Sequence, residues 1–420
     1  MNDPYHPTAR RIYLDNAATS FPKPPCVLEA MNRYATELGA SPGRGAYAEA
    51  REATALFSQC RSRINTLLNG ESADHVVFTL NTTDALNLAI HGLIHPDAKR
   101  RHVVTCHLDH NSVLRPFNEL VSQGVATQTR VECDPLTGRV DPDDIKAAIR
   151  PDTGLVAIVH GSNVTGTLQP IHEIGAVCRE HAVPFLVDAA QTAGHVPIDV
   201  QRDHIDLLAA PGHKSLLGPL GTGFLYIRPG VENMMRTVRE GGTGSVSELD
   251  VQPTFMPDRF EPGSHNAPGI VGLNAALGWV LEQTVEKLWA HDRKLTETMI
   301  DGLHDTASMP GFSYVGPQGL KHRCGVFSVR IDPPPENGRG TNGRFSDPGA
   351  LALALENEFG ILTRSGIHCA PLAHQTVGTA DRGGTTRLSF GPFVTTQDVK
   401  YACDALSQLC EAEAAQAVQA

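Results

Sequence analysis

Seven short apolar segments follow one another between residues 76 and 227, and polar or glycine-rich residues bound each of them. Their length and uninterrupted apolar character are typical of strands that are covered on both faces. Amphipathic segments with helical spacing lie between several of them, which favours a mainly parallel sheet with helices on both faces. The predicted strands are 76–79, 103–106, 125–131, 155–159, 185–187, 207–210 and 223–227.

Helical spacing and turn residues dominate on both sides of this region. Residues 1–18 are predicted to be extended, and residues 20–70 to be largely helical with a glycine-rich loop at 39–45. Residues 332–348 contain so much Pro and Gly that we predict a mobile surface loop there. The remaining predicted elements are a long helical region from residue 268 to residue 304, a strand at 325–331, a helix at 350–359, a further strand, and a final helix at 396–412.

The chain length and the order of these segments predict two domains. With 420 residues the chain is long for a single compact core. We expect an α/β protein whose large domain, at 20–265, contains the mainly parallel sheet. A smaller α+β domain would be formed by 1–19 together with 285–420, and 266–284 would be the connecting helix.

Composition and charge narrow the class of protein. Apolar residues make up 41% and charged residues 19% of the chain, which is ordinary for a globular protein and argues against wholesale disorder. The formal net charge is −11 with one short basic cluster at 99–101, so neither nucleic acid nor an anionic membrane is expected as a partner. The first residues lack a signal-peptide pattern, and no apolar run reaches membrane-spanning length. Because the nine cysteines also show no C-x-x-C spacing, we expect reduced thiols and a cytoplasmic location.

Asp188 and Lys214 follow two neighbouring predicted strands at the point where each strand ends. In an open α/β sheet the ligand lies beyond the carboxyl ends of the strands, so both side chains would project into one crevice. A lysine amine can form a Schiff base with an aldehyde, and a carboxylate can keep a pyridine nitrogen protonated. The pair therefore indicates pyridoxal phosphate.

Each of these residues also has an ordinary structural explanation. An Asp at the end of a strand is often a helix cap or a turn former, and a Lys in a glycine-rich turn is usually a solvated surface charge. Lys214, however, is one of only eight lysines and lies in an apolar, glycine-dense segment. Such surroundings favour a desolvated amine with a lowered pKa.

Further motifs extend this pattern along most of the chain, between residues 12 and 393. They are Tyr13-Leu-Asp-Asn-Ala-Ala-Thr19, Asn81-Thr82-Thr83, Asp109-His110, Ser162-Asn163-Val-Thr-Gly166, Val187-Asp188-Ala-Ala-Gln191, Gly212-His213-Lys214, Arg259-Phe-Glu-Pro-Gly-Ser264, Arg364-Ser-Gly-Ile-His-Cys369 and Arg387. With these motifs in this order, the chain resembles the class V aminotransferases of fold type I, and within them the cysteine desulfurase and selenocysteine lyase group. The resemblance implies a pyridoxal-phosphate enzyme of fold type I that works as a homodimer.

The resemblance assigns the phosphate of the cofactor to Thr82 and Thr83, with Ser264 reaching in from a second subunit and His213 also contacting the cofactor. Thr82 and Thr83 open a predicted helix, whose free N–H groups and positive dipole end suit an anion. Simple N-capping of that helix is the alternative.

The resemblance also indicates which residues would contact the cofactor ring. His110 would stack on the ring and, like Lys214 and Cys369, count as catalytic, while Asn163 and Gln191 would bind the ring hydroxyl. Asn163 and Gln191 could instead be turn formers at strand ends. Metal binding is a further alternative for two sets, Cys106-His107 with His110 and Cys369 with His374, although neither has a complete group of ligands.

Substrate binding is implied for Asn16, Ala17, Asn163, Arg364 and Arg387. Arg387 corresponds to the arginine that binds the α-carboxylate of an amino acid, and a planar, permanently charged fork suits that group. A lone Arg in a strand is otherwise often a surface ion-pair partner.

Cys369 would distinguish a desulfurase from an ordinary aminotransferase. It lies in a short turn bounded by Gly and Pro, which favours a reactive thiol over a buried one, although it could be one of nine small apolar fillers. His368, Arg364 and the cofactor are expected to favour its thiolate, which is the attacking form. The implied reaction has Lys214 removing the α-proton of cysteine and Cys369 attacking the substrate sulfur, which yields alanine and a persulfide for a protein acceptor.

Three departures from the family pattern affect substrate preference more than cofactor identity. Pro211 replaces the usual Ser or Thr three residues before the lysine, Asn81 replaces a frequent Gly, and Tyr47 stands where the sulfur-mobilisation branch often has His. The competing hypotheses are a selenocysteine or cyst(e)ine lyase on the same scaffold, a class V aminotransferase, and a catalytically silent binding or scaffold protein.

Overall fold

The computed structural model describes residues 11–43, 45–246, 248–309, 311–332 and 343–419. Residues 1–10 of the expected extended arm and residues 333–342 of the expected mobile loop lie outside this range. The strands are β1 Ile12–Tyr13, β2 Val76–Thr79, β3 His102–Cys106, β4 Thr127–Val131, β5 Thr153–Val159, β6 Phe185–Asp188, β7 Leu207–Pro211, β8 Gly223–Ile227, β9 Phe312–Tyr314, β10 Val326–Ile331, β11 Ile361–Leu362, β12 Arg364–Gly366 and β13 Thr385–Ser389. The α-helices are α1 Pro25–Arg33, α2 Ala48–Leu68, α3 Thr82–Leu93, α4 Asn111–Ser122, α5 Pro142–Ala148, α6 Ile171–Glu180, α7 Ala267–Gln283, α8 Val285–Gly302, α9 Pro348–Phe359, α10 Pro371–Thr376 and α11 Thr396–Gln419.

The seven predicted strands form one sheet in the order β2-β8-β7-β6-β5-β3-β4. Strands β7, β6, β5, β3 and β4 run parallel, and β8 is antiparallel to both of its neighbours. The predicted α/β class and the mainly parallel sheet are confirmed, and the predicted strand ends agree to within two residues.

The strands read as continuous apolar runs because both faces of the sheet are covered. In β6, Phe185 and Val187 enter one hydrophobic core while Leu186 enters the core on the opposite face. Only edge strand β4 has an exposed face, and its sequence is correspondingly polar. Burial on both faces, at roughly 25 cal/mol per Å² of apolar surface, is the main stabilising contribution of this layer.

The long helical region predicted for 268–304 is divided into two helices. Thr284 has a φ of 66°, a left-handed conformation that no residue inside an α-helix adopts, and it accepts a hydrogen bond from Lys287 N at 3.4 Å as the N-cap of α8. Helix α7 packs against α1 and α2, whereas α8 packs against α11. Because of this break, the two consecutive helices pack in different parts of the structure.

A four-stranded antiparallel sheet, in the order β12-β13-β10-β9, lies in the C-terminal part of the chain. Strand β1 runs parallel to β11, and Leu14 is fully buried in the same core as Phe327 and Leu388. The N-terminal residues thus pack with the C-terminal third. The exact boundaries of the two domains stay a prediction.

In the part of the chain with described structure, no helix is long and apolar enough to cross a bilayer.

Candidate active site

A cleft opens at the carboxyl ends of β5, β6 and β7, beside the first turns of α3 and α4. Parallel strands deliver their following residues to the same edge of the sheet, so residues far apart in sequence meet here. The residues that line the cleft are Asn81, Thr82, Thr83, His110, Ser112, Val159, Gly161, Asn163, Asp188, Ala190, Gln191, Pro211, His213 and Lys214.

Asp188 ends β6 and is a buried carboxylate with unused hydrogen-bonding capacity. Its side chain is only 3% exposed, and Oδ1 accepts a hydrogen bond from Ala190 N at 2.9 Å. Oδ2 has no hydrogen-bond partner among the residues described. Burial raises the pKa of Asp188, and the positive charge of Lys214 opposes that rise. A ligand N–H at Oδ2 would supply the missing partner.

Lys214 follows β7 in a turn that is held mainly through the carbonyl of His213. That carbonyl accepts hydrogen bonds from Ser20 N at 3.0 Å, Ser20 Oγ at 3.0 Å, Lys23 Nζ at 2.9 Å and Thr19 Oγ1 at 3.2 Å. The Nζ of Lys214 itself has no hydrogen-bond partner within the described ranges. The backbone is fixed while the amine stays available.

Desolvation lowers the pKa of Lys214 to about 8. Asp188 raises this pKa, whereas Arg387 and Arg364 lower it further. A lysine with this pKa is a better proton acceptor and nucleophile near neutral pH than one at the ordinary value of 10.5.

We expect the rate at which the cofactor-free protein takes up an aldehyde such as pyridoxal phosphate to rise with pH and to level off above the pKa of Lys214. Only the unprotonated amine attacks, and its fraction reaches about one half where pH equals pKa. The uptake rate, followed by absorbance between pH 6.5 and 9.5, should therefore have a midpoint at about 8. A rate that is still rising tenfold per pH unit at pH 9.5 would contradict this pKa.

The first turn of α3 keeps donors free for an anion. Asn81 Oδ1 accepts from Asp84 N at 2.9 Å, so the N-capping alternative holds for Asn81. Thr82 is buried, and its hydroxyl has no partner in the described portion of the chain. Thr83 Oγ1 lies 2.8 Å from Ser112 Oγ. The N–H groups of this turn and the Thr82 hydroxyl together suit a phosphate.

His110 is the N-cap of α4 and is held in one orientation. Its Nδ1 accepts a hydrogen bond from Ser112 N at 3.1 Å, so in the neutral ring the proton is on Nε2. Burial, with further contributions from Lys214 and nearby arginines, lowers the pKa of His110 to about 4. The ring is therefore neutral at physiological pH.

Asn163 and Gln191 line the cleft and also tie it to other parts of the chain. Asn163 Nδ2 donates to the carbonyl of His368 at 2.7 Å, and Gln191 Nε2 donates to the carbonyl of Ala17 at 3.0 Å. Asn16 Nδ2 donates to the Ser389 carbonyl at 3.3 Å. Ala17 and Asn16 are thus placed between the cleft and β13.

Arg387 lies on β13 directly opposite Arg364 of β12, and the charges of both arginines act on Lys214. Its guanidinium is only 1% exposed, and NH2 forms an ion pair with Asp15 Oδ1 at 2.8 Å. NH1 donates to the Asn163 carbonyl at 3.2 Å, and Nε has no partner within the described structure. Sequence reasoning missed Asp15, although it lies inside the motif at 13–19.

Cys369 is exposed and stands on a strained turn. His368 has a φ of 50° and Cys369 a φ of 58°, so two consecutive non-glycine residues are left-handed, which costs about 1–2 kcal/mol each. The carbonyl of Cys369 accepts from Asn111 N at 2.9 Å, and that of His368 accepts from Asn163. Arg364 NH2 lies 3.9 Å from Cys369 Sγ. These two hydrogen bonds fix the backbone of the turn that carries the thiol to Asn111 and Asn163.

The expectation that His368 favours the thiolate of Cys369 is wrong. The His368 ring is buried, and its Nε2 lies 3.1 Å from the Thr385 carbonyl. Burial lowers the pKa of His368 to about 2, so the ring carries no positive charge near neutral pH. Arg364 is the cation beside the sulfur.

Ser264 is exposed and lines a separate hollow with Thr79, Leu80 and Gly221. Within one chain it does not line the Lys214 cleft, and its contact with a second subunit stays a prediction. Tyr47 is 56% exposed. Among the described side chains, no three His, Cys, Asp or Glu residues come together as a metal site, and His374 instead contacts Thr379.

Comparison with known proteins finds relatives of this chain in both sequence and structure. The family described as Aminotransferase class-V matches residues 12–402. A probable cysteine desulfurase of Methanothermobacter thermautotrophicus is 34% identical over 95% of this chain and 94% of its own length. The apo structure of cysteine desulfurase from Thermococcus onnurineus NA1 is 30% identical, with a TM-score of 0.85 over 96% of this chain and 95% of that one. The cysteine desulfurase CsdA of Escherichia coli is 27% identical, with a TM-score of 0.81 over 96% and 95% of the two chains.

Proposed function

The chain belongs to the class-V aminotransferase family, and on this basis we propose that it is a pyridoxal-phosphate-dependent cysteine desulfurase. It converts L-cysteine to L-alanine and receives the sulfur as a persulfide on Cys369. The observation that carries the proposal is the exposed Cys369 thiol, which lies on a strained turn next to Arg364; the cleft residue Asn163 donates its side-chain amide to the His368 carbonyl of this turn. An aminotransferase has no need of such a thiol.

The cleft residues fit pyridoxal phosphate. Asp188 is a buried residue whose Oδ2 accepts no hydrogen bond from the described residues, which suits a protonated ring nitrogen. Thr82 and the first turn of α3 would hold the phosphate, with His213 close by. His110, Asn163 and Gln191 line the space for the ring. When bound, the cofactor supplies an aldehyde for Lys214 and a ring that accepts electrons from the substrate.

Three groups of the chain carry the reaction. Lys214, with a pKa of about 8, removes the proton from the α-carbon and later returns a proton to the carbon skeleton. Arg387 binds the α-carboxylate through its guanidinium. The thiolate of Cys369 attacks the substrate sulfur, so that an S–S bond forms as the C–S bond breaks. Cysteine and the Cys369 thiol thereby become alanine and a Cys369 persulfide, and no external oxidant is needed.

Partners follow from the same chemistry. A persulfide on an exposed side chain can be passed to the thiol of an acceptor protein, so we propose a protein sulfur acceptor. A homodimer is proposed because Ser264 is exposed at a hollow beside the start of α3 and is thus available to a second copy. All nine cysteines are free thiols, which supports a reducing compartment such as the cytoplasm.

Replacing Cys369 with alanine tests the proposal. We expect sulfide and alanine formation from L-cysteine to fall by about 10²-fold, because the positioned sulfur acceptor is lost. Release of selenide from selenocysteine should be measured in parallel, since a lyase would keep both activities without the thiol. Cys26→Ser is the matched control, because Cys26 is also partly accessible but lies on α1 and contacts the Ala275 carbonyl. Undiminished sulfide release by Cys369→Ala would refute the persulfide step.

A further inference from the structure

The buried guanidinium of Arg387 already has a carboxylate partner within its own chain. Asp15 Oδ1 lies 2.8 Å from Arg387 NH2, and in the described ranges no other carboxylate pairs with this arginine. A buried cation without a counter-charge is costly, and the second cation opposite it, Arg364, adds repulsion. Asp15 therefore neutralises the charge of Arg387.

The Asp15 carboxylate is able to leave Arg387 without unfolding its turn. The side chain is 20% exposed, and its second oxygen, Oδ2, has no partner among the residues that are described. The turn is held by other atoms, since the Asp15 carbonyl accepts from Ala18 N at 3.0 Å and Ala17 N donates to Ser389 Oγ at 2.8 Å. The partly exposed carboxylate can therefore turn away from Arg387 while these hydrogen bonds of the turn stay in place.

An amino-acid carboxylate and the Asp15 carboxylate compete for the same guanidinium. A bidentate contact through the two terminal nitrogens would compete with Asp15 at NH2 and with the Asn163 carbonyl at NH1, whereas Nε has no partner within the described structure. Two carboxylates at one guanidinium also repel each other.

We propose that Asp15 is a placeholder for the substrate: it occupies Arg387 in the free protein and is displaced by the α-carboxylate of the incoming amino acid. This proposal rests on the proposed function, because it takes Arg387 as the carboxylate site. Asp15 weakens the binding of every α-amino acid and keeps Arg387 paired between turnovers. Only a ligand that carries its own carboxylate can therefore replace Asp15 at Arg387.

The placeholder role and a merely structural role predict opposite changes in the affinity for a carboxylate ligand when Asp15 is replaced. If Asp15 only orients Arg387, its removal disorders the arginine and weakens carboxylate binding. If Asp15 is displaced by the ligand, its removal takes away a competitor and strengthens that binding. Ligands without a carboxylate should not gain.

The test compares the cofactor-loaded wild type with Asp15→Asn by equilibrium titration. L-alanine carries the carboxylate, and ethylamine is the same ligand without it. We expect the dissociation constant of L-alanine to fall by about tenfold in Asp15→Asn, in line with the worth of one charge-assisted hydrogen bond. Ethylamine should bind unchanged or more weakly. An unchanged or higher dissociation constant for L-alanine overturns the proposal.

Ser389→Ala is the matched control, because it loosens the same turn and leaves the Asp15 carboxylate in place. A comparable tightening of L-alanine by Ser389→Ala would show that mobility of the turn is the cause and would overturn the proposal. If Asp15→Asn does not fold, Asp15→Ser makes the same comparison. A wild type that binds L-alanine but forms no alanine from cysteine refutes the proposed function and leaves the Asp15 result valid.

Discussion

Alanine in place of Lys214 should lower sulfide release from cysteine by about 10⁴-fold, at the upper end of what a positioned acid–base group contributes. The same change removes the amine that would hold the cofactor covalently. The protein should stay folded, because Lys214 Nζ has no hydrogen bond within the described structure and its charge is desolvated there. Borohydride reduction followed by peptide mass analysis should find the cofactor on Lys214 in the wild type and on no lysine in the variant.

Lys23 offers a matched control, because burial lowers its pKa to about 8 as well. Its amine donates to Ser20 Oγ at 2.7 Å and to the His213 carbonyl, so it supports the turn that carries Lys214. Lys23→Ala should retain the covalent cofactor and lose about tenfold in rate, because Lys214 would be shifted from its position but would still be present. A cofactor found on Lys23 in place of Lys214 would contradict the assignment of the catalytic amine.

The second large effect is expected for Asp188→Asn, which keeps the shape of the side chain and removes its charge. A neutral amide cannot hold a proton on a ring nitrogen, and the loss of a buried charge partner is worth about 4 kcal/mol, or about 10³-fold in rate. Purified Asp188→Asn should still contain bound cofactor, because the groups that would hold its phosphate are unchanged. The rate of α-proton exchange in deuterated water measures the defect directly.

Asp109→Asn is the control, because Asp109 is also a buried carboxylate but is not proposed to contact the cofactor. Asp109 has its pKa raised to about 7 by burial, and it accepts from Cys106 N and Val159 N, both at 2.7 Å. Its replacement should cost about 2 kcal/mol of unfolding free energy and change the rate much less than Asp188→Asn does. Equal losses of rate in the two variants would show that burial of a charge, and not contact with the cofactor, explains the effect at Asp188.

The sheet was predictable from sequence because both of its faces are buried, which leaves seven continuous apolar runs. The elements that sequence missed are very short. Strands β1 and β11 have two residues each, and β12 has three, so no periodicity can develop within them. The break at Thr284 was missed for a similar reason, since one residue in a left-handed conformation hardly changes the helical pattern around it.

The site was predictable where residues follow parallel strands, as Asp188 and Lys214 do. It was not predictable where a contact joins segments that are far apart in the sequence. Asp15 and Arg387 are 372 positions apart, and nothing in either local pattern indicates the other. The role of His368 was mistaken because the charge of an imidazole depends on burial, which a motif does not encode.

Because β1 pairs with β11, the two halves of the site fold one after the other during synthesis. The seven-stranded sheet is complete once residue 227 has been made, so the half of the pocket with Asp188 and Lys214 can fold while the ribosome is still adding the rest. Residues 12–14, although made first, must wait for β11 and for Ser389 before they find their neighbours. The nascent protein therefore builds the half that faces the cofactor before the half that faces the amino acid.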